Sequence, residues 1–168
     1  RQEGGAAFMA AAYAKLTGKP GICFVTRGPG ATNASIGVHV AKQDSVPMIL
    51  FVGQVSVSSM NRNAFQEIDI PAMFKPLAKW AVQIDDVDRL PELLTRAIKI
   101  ATSGRPGPVV ISIPEDMQNE LAKAPEVAPN VPIVAGPMPD QIDRLGTLIS
   151  QAENPVIMLG ASTWTSEA

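Results

Sequence analysis

The chain has 168 residues, 46% hydrophobic, 18% charged and 5% aromatic, and its 14 basic and 16 acidic side chains give a net charge of −2. Such a composition excludes wholesale disorder, and the balanced charge leaves no electrostatic footprint for nucleic acid or an anionic membrane. One cysteine, Cys23, and one histidine, His39, exclude an internal disulfide and a His- or Cys-built metal cluster. No apolar run reaches membrane-spanning length. The expected location is a reducing compartment, the cytoplasm.

Arg1-Gln2-Glu3-Gly4-Gly5 leads almost at once into a helical pattern without a methionine, so a piece of a longer chain is expected. Alanine dominates Gly5 to Leu16, which predicts a helix able to approach its neighbours closely, with Gly18 as its cap and Pro20 as a stop. Gly21 to Thr26 is a short apolar run and reads as a buried parallel strand. Gly28-Pro29-Gly30 is expected to turn the chain into a helix over Ala31 to Lys42. Pro47 to Val52 reads as a second buried strand ended by Gly53. Val55 to Asn63 reads as a polar surface loop, Ile68 to Phe74 as a short helix and Trp80 to Ile84 as a strand. Leu90, Leu93, Leu94, Ala97, Ile98 and Ala101 recur at helical spacing and predict an amphipathic helix closed by Gly104. Pro108 to Pro114 is a third buried strand. Strands alternating with helices argue for an α/β domain with a parallel sheet, placed over residues 1–118. Prolines punctuate residues 119–139, which read as an inter-domain linker. A helix over Asp140 to Ala152 and a strand over Pro155 to Gly160 read as the start of a second α/β domain, residues 140–168.

Three local features could carry chemistry. Thr26 to Asn33 follows a strand and opens a helix, where ligands of open α/β sheets bind. It lacks the third glycine of the dinucleotide fingerprint and the Gly-Lys-Ser/Thr of a phosphate loop. The competing view is a tight turn whose glycines supply backbone freedom only. Glu3 is either a helix-start acid that favours the macrodipole or a partly buried carboxyl with a raised pKa that shares a proton with a ligand. Gly53-Gln54-Val55 with Ala64 to Glu67 is a strand end and loop suited to ligand contacts, or an ordinary surface loop. His39 lacks partners at metal spacing, and Cys23 inside a strand reads as an inert small hydrophobe.

Six pieces occur in order: R-Q-E-G-G-A from Arg1, G-P-G-A-T-N from Gly28, D-S-V-P from Asp44, G-Q-V from Gly53, A-F-Q-E from Ala64 and G-R-P-G-P-V from Gly104. Together they resemble the thiamine diphosphate-dependent enzymes of the acetolactate synthase type. The resemblance implies a truncated pyrimidine-binding fold, a three-layer parallel-sheet domain, followed by the start of a middle domain. It implies carbon–carbon bond making or breaking beside the carbonyl of a 2-oxo acid by the full-length enzyme, with the fragment alone inactive. Decarboxylases and lyases resembling oxalyl-CoA decarboxylase, benzoylformate decarboxylase or benzaldehyde lyase stay open, as does a non-catalytic cofactor-binding or assembly domain. By the resemblance, Glu3 is catalytic and meets N1′ of the cofactor's aminopyrimidine. Gly28, Pro29, Asn33 and Gln66 would contact thiamine diphosphate, Phe65 would line the substrate channel and Lys79 would sit at its edge. No metal ligand is expected in this segment. Mg²⁺ would be held by a domain outside it, FAD is left open, and the site would lie between subunits of a homodimer or homotetramer. The family usually reads R-H-E-Q-G and G-Q-V-P-R-R, whereas Gln2 and Gly4 flank Glu3 here and Ser56-Val57-Ser58 follow Val55.

Overall fold

A computed structural model of the chain describes residues 2–123, 136–158 and 160. Its centre is a four-stranded, all-parallel sheet in the order β1-β2-β4-β3, built from Gly21–Thr26, Met48–Gln54, Trp80–Gln83 (β3) and Pro108–Pro114 (β4). Parallel neighbours require crossovers, and helices supply them. α1 spans Glu3–Thr17, α2 Arg27–Gln43, α3 Ile70–Phe74 and α4 Leu90–Thr102. The β2–β4 pair is in register from Met48 opposite Pro108 to Gln54 opposite Pro114.

Alternation along the central strands divides the interior into two cores. Met48, Leu50, Val52 and Val110 point to one face, where they pack with the alanines of α1 and α2 and with Ile70 and Phe74 of α3. Ile49, Phe51, Val109 and Ile111 point to the other, against Leu93, Ala97 and Ala101 of α4. Helices therefore lie on both faces, which is the three-layer α/β arrangement that the alternating pattern predicts.

The predicted bounds of β1 and β4 coincide with the observed ones. Gly18 takes a left-handed conformation (φ 68°) at the end of α1, its N–H donating to Ala14 O, and Gly104 does so (φ 60°) just past α4. The expectation that β1 is buried on both faces needs correction: Ile22 and Phe24 are 50% and 71% exposed. β1 is an edge strand, and α4 packs on β2 and β4 instead. α2 begins at Arg27, so Gly28-Pro29-Gly30 forms its first turn and is not a separate turn before it. Proline is tolerated there because first-turn N–H groups have no intrahelical acceptor. β2 continues through Gly53 to Gln54, and the 55–63 loop contains one short 3₁₀ turn, Val57–Ser59.

Beyond β4 a 3₁₀ turn covers Met117–Asn119, and most of the predicted linker lies outside the described residues. α5, Pro139–Gln151, matches the predicted helix; Ile142, Leu145, Leu148 and Ile149 along it are about half exposed. The strand expected over Pro155 to Gly160 does not form in its described residues, 155–158 and 160. An apolar run becomes a strand only when a ladder satisfies its backbone, and these residues pair with none of the four strands. No helix among the described residues is long and apolar enough to cross a membrane.

Small residues set how closely the layers meet. A Cβ on Gly37 of α2 would lie 2.5 Å from Ala7 Cβ of α1, and one on Gly21 would lie 2.0 Å from the Ala10 carbonyl oxygen. In both cases the obstacle is backbone or a Cβ, which no rotamer change can move. Gly37→Ala and Gly21→Ala should each destabilise the chain by about 1–3 kcal/mol, the usual cost of overpacking. Urea unfolding measures this, and midpoints equal to wild type would show that the helices can separate without cost.

Candidate functional site

The carboxyl ends of β1, β2 and β4 open into a cavity of about 750 Å³. Glu3, Arg27, Gln54, Gln66, Glu115 and Gln118 supply its polar lining, and Phe24, Phe51 and Ile113 an apolar wall. The Phe24 and Phe51 rings stack with centroids 4.5 Å apart and planes 12° from parallel. This is the end of an open parallel sheet where ligands bind, because helix starts and strand-end loops converge there.

Glu3 stands at the first position of α1. Gln2 caps the helix, its Oε1 accepting from Gly5 N at 2.7 Å. Gly4 is buried, and a Cβ there would sit 3.2 Å from the Asn33 carbonyl oxygen and 3.0 Å from the Gln2 side chain. The unusual Gln2-Glu3-Gly4 sequence thus lets the start of α1 come close to α2. That approach brings Asn33 Nδ2 to donate to Glu3 Oε2 at 3.1 Å. The Glu3 carboxyl is held below its ordinary value, first by its own backbone N–H and then by the Asn33 amide. Of the two readings of Glu3 in the sequence, the lowered pKa agrees with the helix-start acid and not with a raised value. The half-exposed carboxyl is hydrogen-bonded as an anion at a helix start, and both effects favour ionisation.

The G-P-G segment is built for close contact. Neither Gly28 nor Gly30 has a positive φ. A Cβ on Gly28 would lie 2.9 Å from the Gln66 carbonyl oxygen, and one on Gly30 would lie 3.2 Å from Val25 Cβ. Gly28 N donates to Gln66 O at 2.9 Å, which fixes the 64–67 loop to the start of α2. The residue with the left-handed backbone is Arg27, at φ 48°. Its Nη2 donates to Glu115 Oε2 at 2.9 Å and so links the end of β1 to the chain just past β4. Pro29 and Asn33 are exposed on the first turns of α2.

Gln54 is 3% exposed and satisfied on both sides: its Nε2 donates to Ile68 O at 2.7 Å and its Oε1 accepts from Val55 N at 2.9 Å. It ties the end of β2 to the approach of α3. Glu67 organises the preceding loop by accepting from Asn61 N at 2.6 Å and Ala64 N at 3.0 Å. Gln66 (φ 66°) lines the cavity, and Phe65 beside it is 76% exposed and outside the lining.

Lys79 lies elsewhere. It precedes β3 at the amino end of the sheet, where its Nζ donates to the Ile100 and Ser103 carbonyls that close α4, and burial lowers its pKa. The resemblance places it at the edge of a substrate channel, but β3 starts at the end of the sheet away from the cavity. The D-S-V-P and G-R-P-G-P-V motifs also meet away from the cavity: Arg105 donates to Ser45 Oγ at 2.7 Å and to Gln43 O at 3.0 Å. Cys23 is buried and its thiol is pushed up by burial, while His39 is exposed on α2. Among the described residues no three His, Cys, Asp or Glu side chains come together to hold a metal ion. The Arg27–Glu115 pair and the stacked phenylalanines escaped the sequence reading. Residues 88 apart give no local signal, and Phe24 was assigned to a buried strand.

Glu67 makes a pH prediction. Its carboxyl is held below its ordinary value, chiefly by the Asn61 and Ala64 N–H groups. A carboxyl depressed in the folded state adds stability above its unfolded pKa, and that stability is lost as pH falls through the folded value. Protection of the Asn61 and Ala64 amides from hydrogen exchange should therefore hold near neutrality and fall on acidification below about pH 4. Glu67→Gln should lose much of that protection at neutral pH, and its remainder should not change with acid. Equal protection in wild type and variant would show that another group holds the loop.

Comparison with known proteins agrees with this geometry. Residues 1–73 match the thiamine pyrophosphate enzyme N-terminal TPP binding domain. The chain is 36% identical over 181 residues to a mitochondrial acetolactate synthase catalytic subunit of Aspergillus candidus, covering 100% of the chain and 26% of that protein. It is 37% identical over 172 residues to the acetolactate synthase large subunit of Corynebacterium glutamicum, covering 100% of the chain and 28% of the relative. It is 40% identical over 166 residues to an acetolactate synthase of Arthrospira platensis, covering 95% of the chain and 29% of the relative. The chain thus spans between a quarter and a third of the length of these curated relatives. Residues 1–73 are thus similar to the N-terminal TPP binding domain of the thiamine pyrophosphate enzymes, and the chain along its length is similar to acetolactate synthases.

Proposed function

We propose that the chain is the pyrimidine-binding part of a thiamine diphosphate-dependent enzyme that joins or cleaves a carbon–carbon bond beside the carbonyl of a 2-oxo acid. The carboligation named by its acetolactate synthase relatives is the first activity to test. The observation that carries this reading is the Glu3 carboxylate, oriented by Asn33 on a cavity whose other wall is aromatic. A flat heteroaromatic ring needs those two things, an apolar face and one fixed acceptor at its edge. Mg²⁺ has no matching ligand set among the described residues, and no step is assigned to it. Its site, the second half of the active site and a subunit partner are proposed to lie outside this chain, with residues 140–168 opening a middle domain.

Bound thiamine diphosphate would supply the nucleophilic carbon and the electron sink. The chain's own contribution is proton placement and shape. With Oε2 engaged by Asn33, the other oxygen of Glu3 is left to meet a ring nitrogen. In the open cavity Glu3 is ionised and accepts an N–H. Covering it with a ring removes water, disfavours the charge and draws the proton toward the carboxyl. Gly28 leaves room for the Gln66 backbone to close over the same side.

In the full-length protein with thiamine diphosphate and Mg²⁺, Glu3→Gln should lower kcat by about 10²–10⁴-fold, the range of general acid–base catalysis. Asn33→Ala, which frees Oε2, should cost less. Steady-state kinetics on a panel of 2-oxo acids measures both, and undiminished turnover by Glu3→Gln would sink this mechanism.

A further inference from the structure

Arg27 is not used by the proton chemistry above, yet among the described residues it is the one cation lining the cavity, which Glu3 and Glu115 also line. Its backbone has the left-handed φ of 48°, and its side chain is 27% exposed. A flexible surface arginine would have neither property. Among the described residues its guanidinium has a single hydrogen-bond partner, Glu115 Oε2 at 2.9 Å through Nη2. Nε and Nη1 carry further N–H groups that have no acceptor there. The Glu115 side chain is 61% exposed and its carboxylate has no other hydrogen-bond partner. An ion pair so open to water is weak, so an incoming anion can take the place of Glu115 at little cost. Phe24, Phe51 and Ile113 line the same cavity and offer the apolar part of a bound acid a surface to lie against.

We propose that Arg27 is a specificity residue that binds the carboxylate of the substrate through the planar fork of its guanidinium, with Glu115 as its resting partner. This rests on the thiamine diphosphate reading above and names the part of the site that distinguishes a 2-oxo acid from an uncharged carbonyl compound. The fork matches a carboxylate bidentately, which a lysine cannot do. The cofactor's own diphosphate is the other oxyanion that could reach an arginine, so the test separates the two.

The experiment uses the full-length protein loaded with thiamine diphosphate and Mg²⁺, the 2-oxo acid it turns over fastest, and the amide of that acid. Arg27→Gln should raise KM for the acid about 10- to 100-fold, the range for a lost charge-assisted hydrogen bond. KM for the amide and the Kd of thiamine diphosphate should stay within about twofold of wild type. Arg27→Lys, which keeps the charge without the fork, should raise KM for the acid by an intermediate factor. It decides the matter if Arg27→Gln does not fold. An unmoved KM for the acid, equal changes for acid and amide, or a change confined to cofactor Kd would each overturn the assignment. Wild type that binds no thiamine diphosphate, or turns over no 2-oxo acid, would overturn the underlying reading instead.

Discussion

The site depends on one steric constraint, the close approach of α1 to α2 and β1. Gly37 against Ala7 and Gly21 against the Ala10 carbonyl admit no extra methyl group, and Gly4, 3.2 Å from the Asn33 carbonyl at the Cβ position, leaves little room for one. The alanine-rich inner face of α1 serves the same end, with Ala7, Ala10, Ala11 and Ala14 all buried. The first of these contacts sets the spacing of the helices and the last brings Glu3 to Asn33. Larger side chains would bury more apolar area per residue, but they would move the Glu3 carboxylate away from the amide that orients it. The packing of this half of the domain therefore sets the reach of a single hydrogen bond.

A second set of tethers gathers the strand ends. Gln54 holds the approach to α3, Gly28 N holds Gln66, Glu67 holds the loop before it, and Arg27 reaches Glu115. Three of them join the end or following turn of a strand to a segment elsewhere, and Glu67 closes a loop with its own non-glycine positive φ. Asn61, Asn63 and Gln66 all lie in the left-handed region. Such backbone costs about 1–2 kcal/mol per residue, and it persists only where neighbouring contacts hold it. The loop that carries Gln66 into the cavity is held by the Glu67 carboxylate, which explains why that acid is ionised so readily.

Sequence periodicity located the elements because their signals are local. β1 and β4 have turn residues at both ends, and α4 shows a clear apolar stripe closed by Gly104. What the sequence could not reveal was set by neighbours. The outer face of β1 carries Ile22 and Phe24, as a buried strand would, and only the strand order shows that α4 does not cover it. The G-P-G segment looked like a turn because glycine is so often used for its φ, whereas Gly28 and Gly30 are needed for their missing Cβ atoms. Lys79 was assigned from the resemblance alone, and motif order does not reveal which end of β3 faces the cavity. Glu3 and Gln66, which line the cavity, lie in motifs whose order the sequence shows, while the Arg27–Glu115 pair was invisible at a separation of 88 residues.

The two acids on the cavity wall show how one fold gives similar groups different tasks. Both are carboxylates with exposed surface, and each meets one donor across the opening. The donor to Glu3 is a neutral amide on a regular helix. It orients the carboxylate without cancelling its charge, so the acid can still change its share of a proton when water is excluded. The donor to Glu115 is a guanidinium, carried on a residue with left-handed backbone at the end of β1. Exchanging those partners would set a cation against Glu3 and leave Glu115 with a neutral donor. The placement of Asn33 and Arg27, six residues apart on α2, therefore sets a neutral donor on one acid of the cavity and a cationic donor on the other.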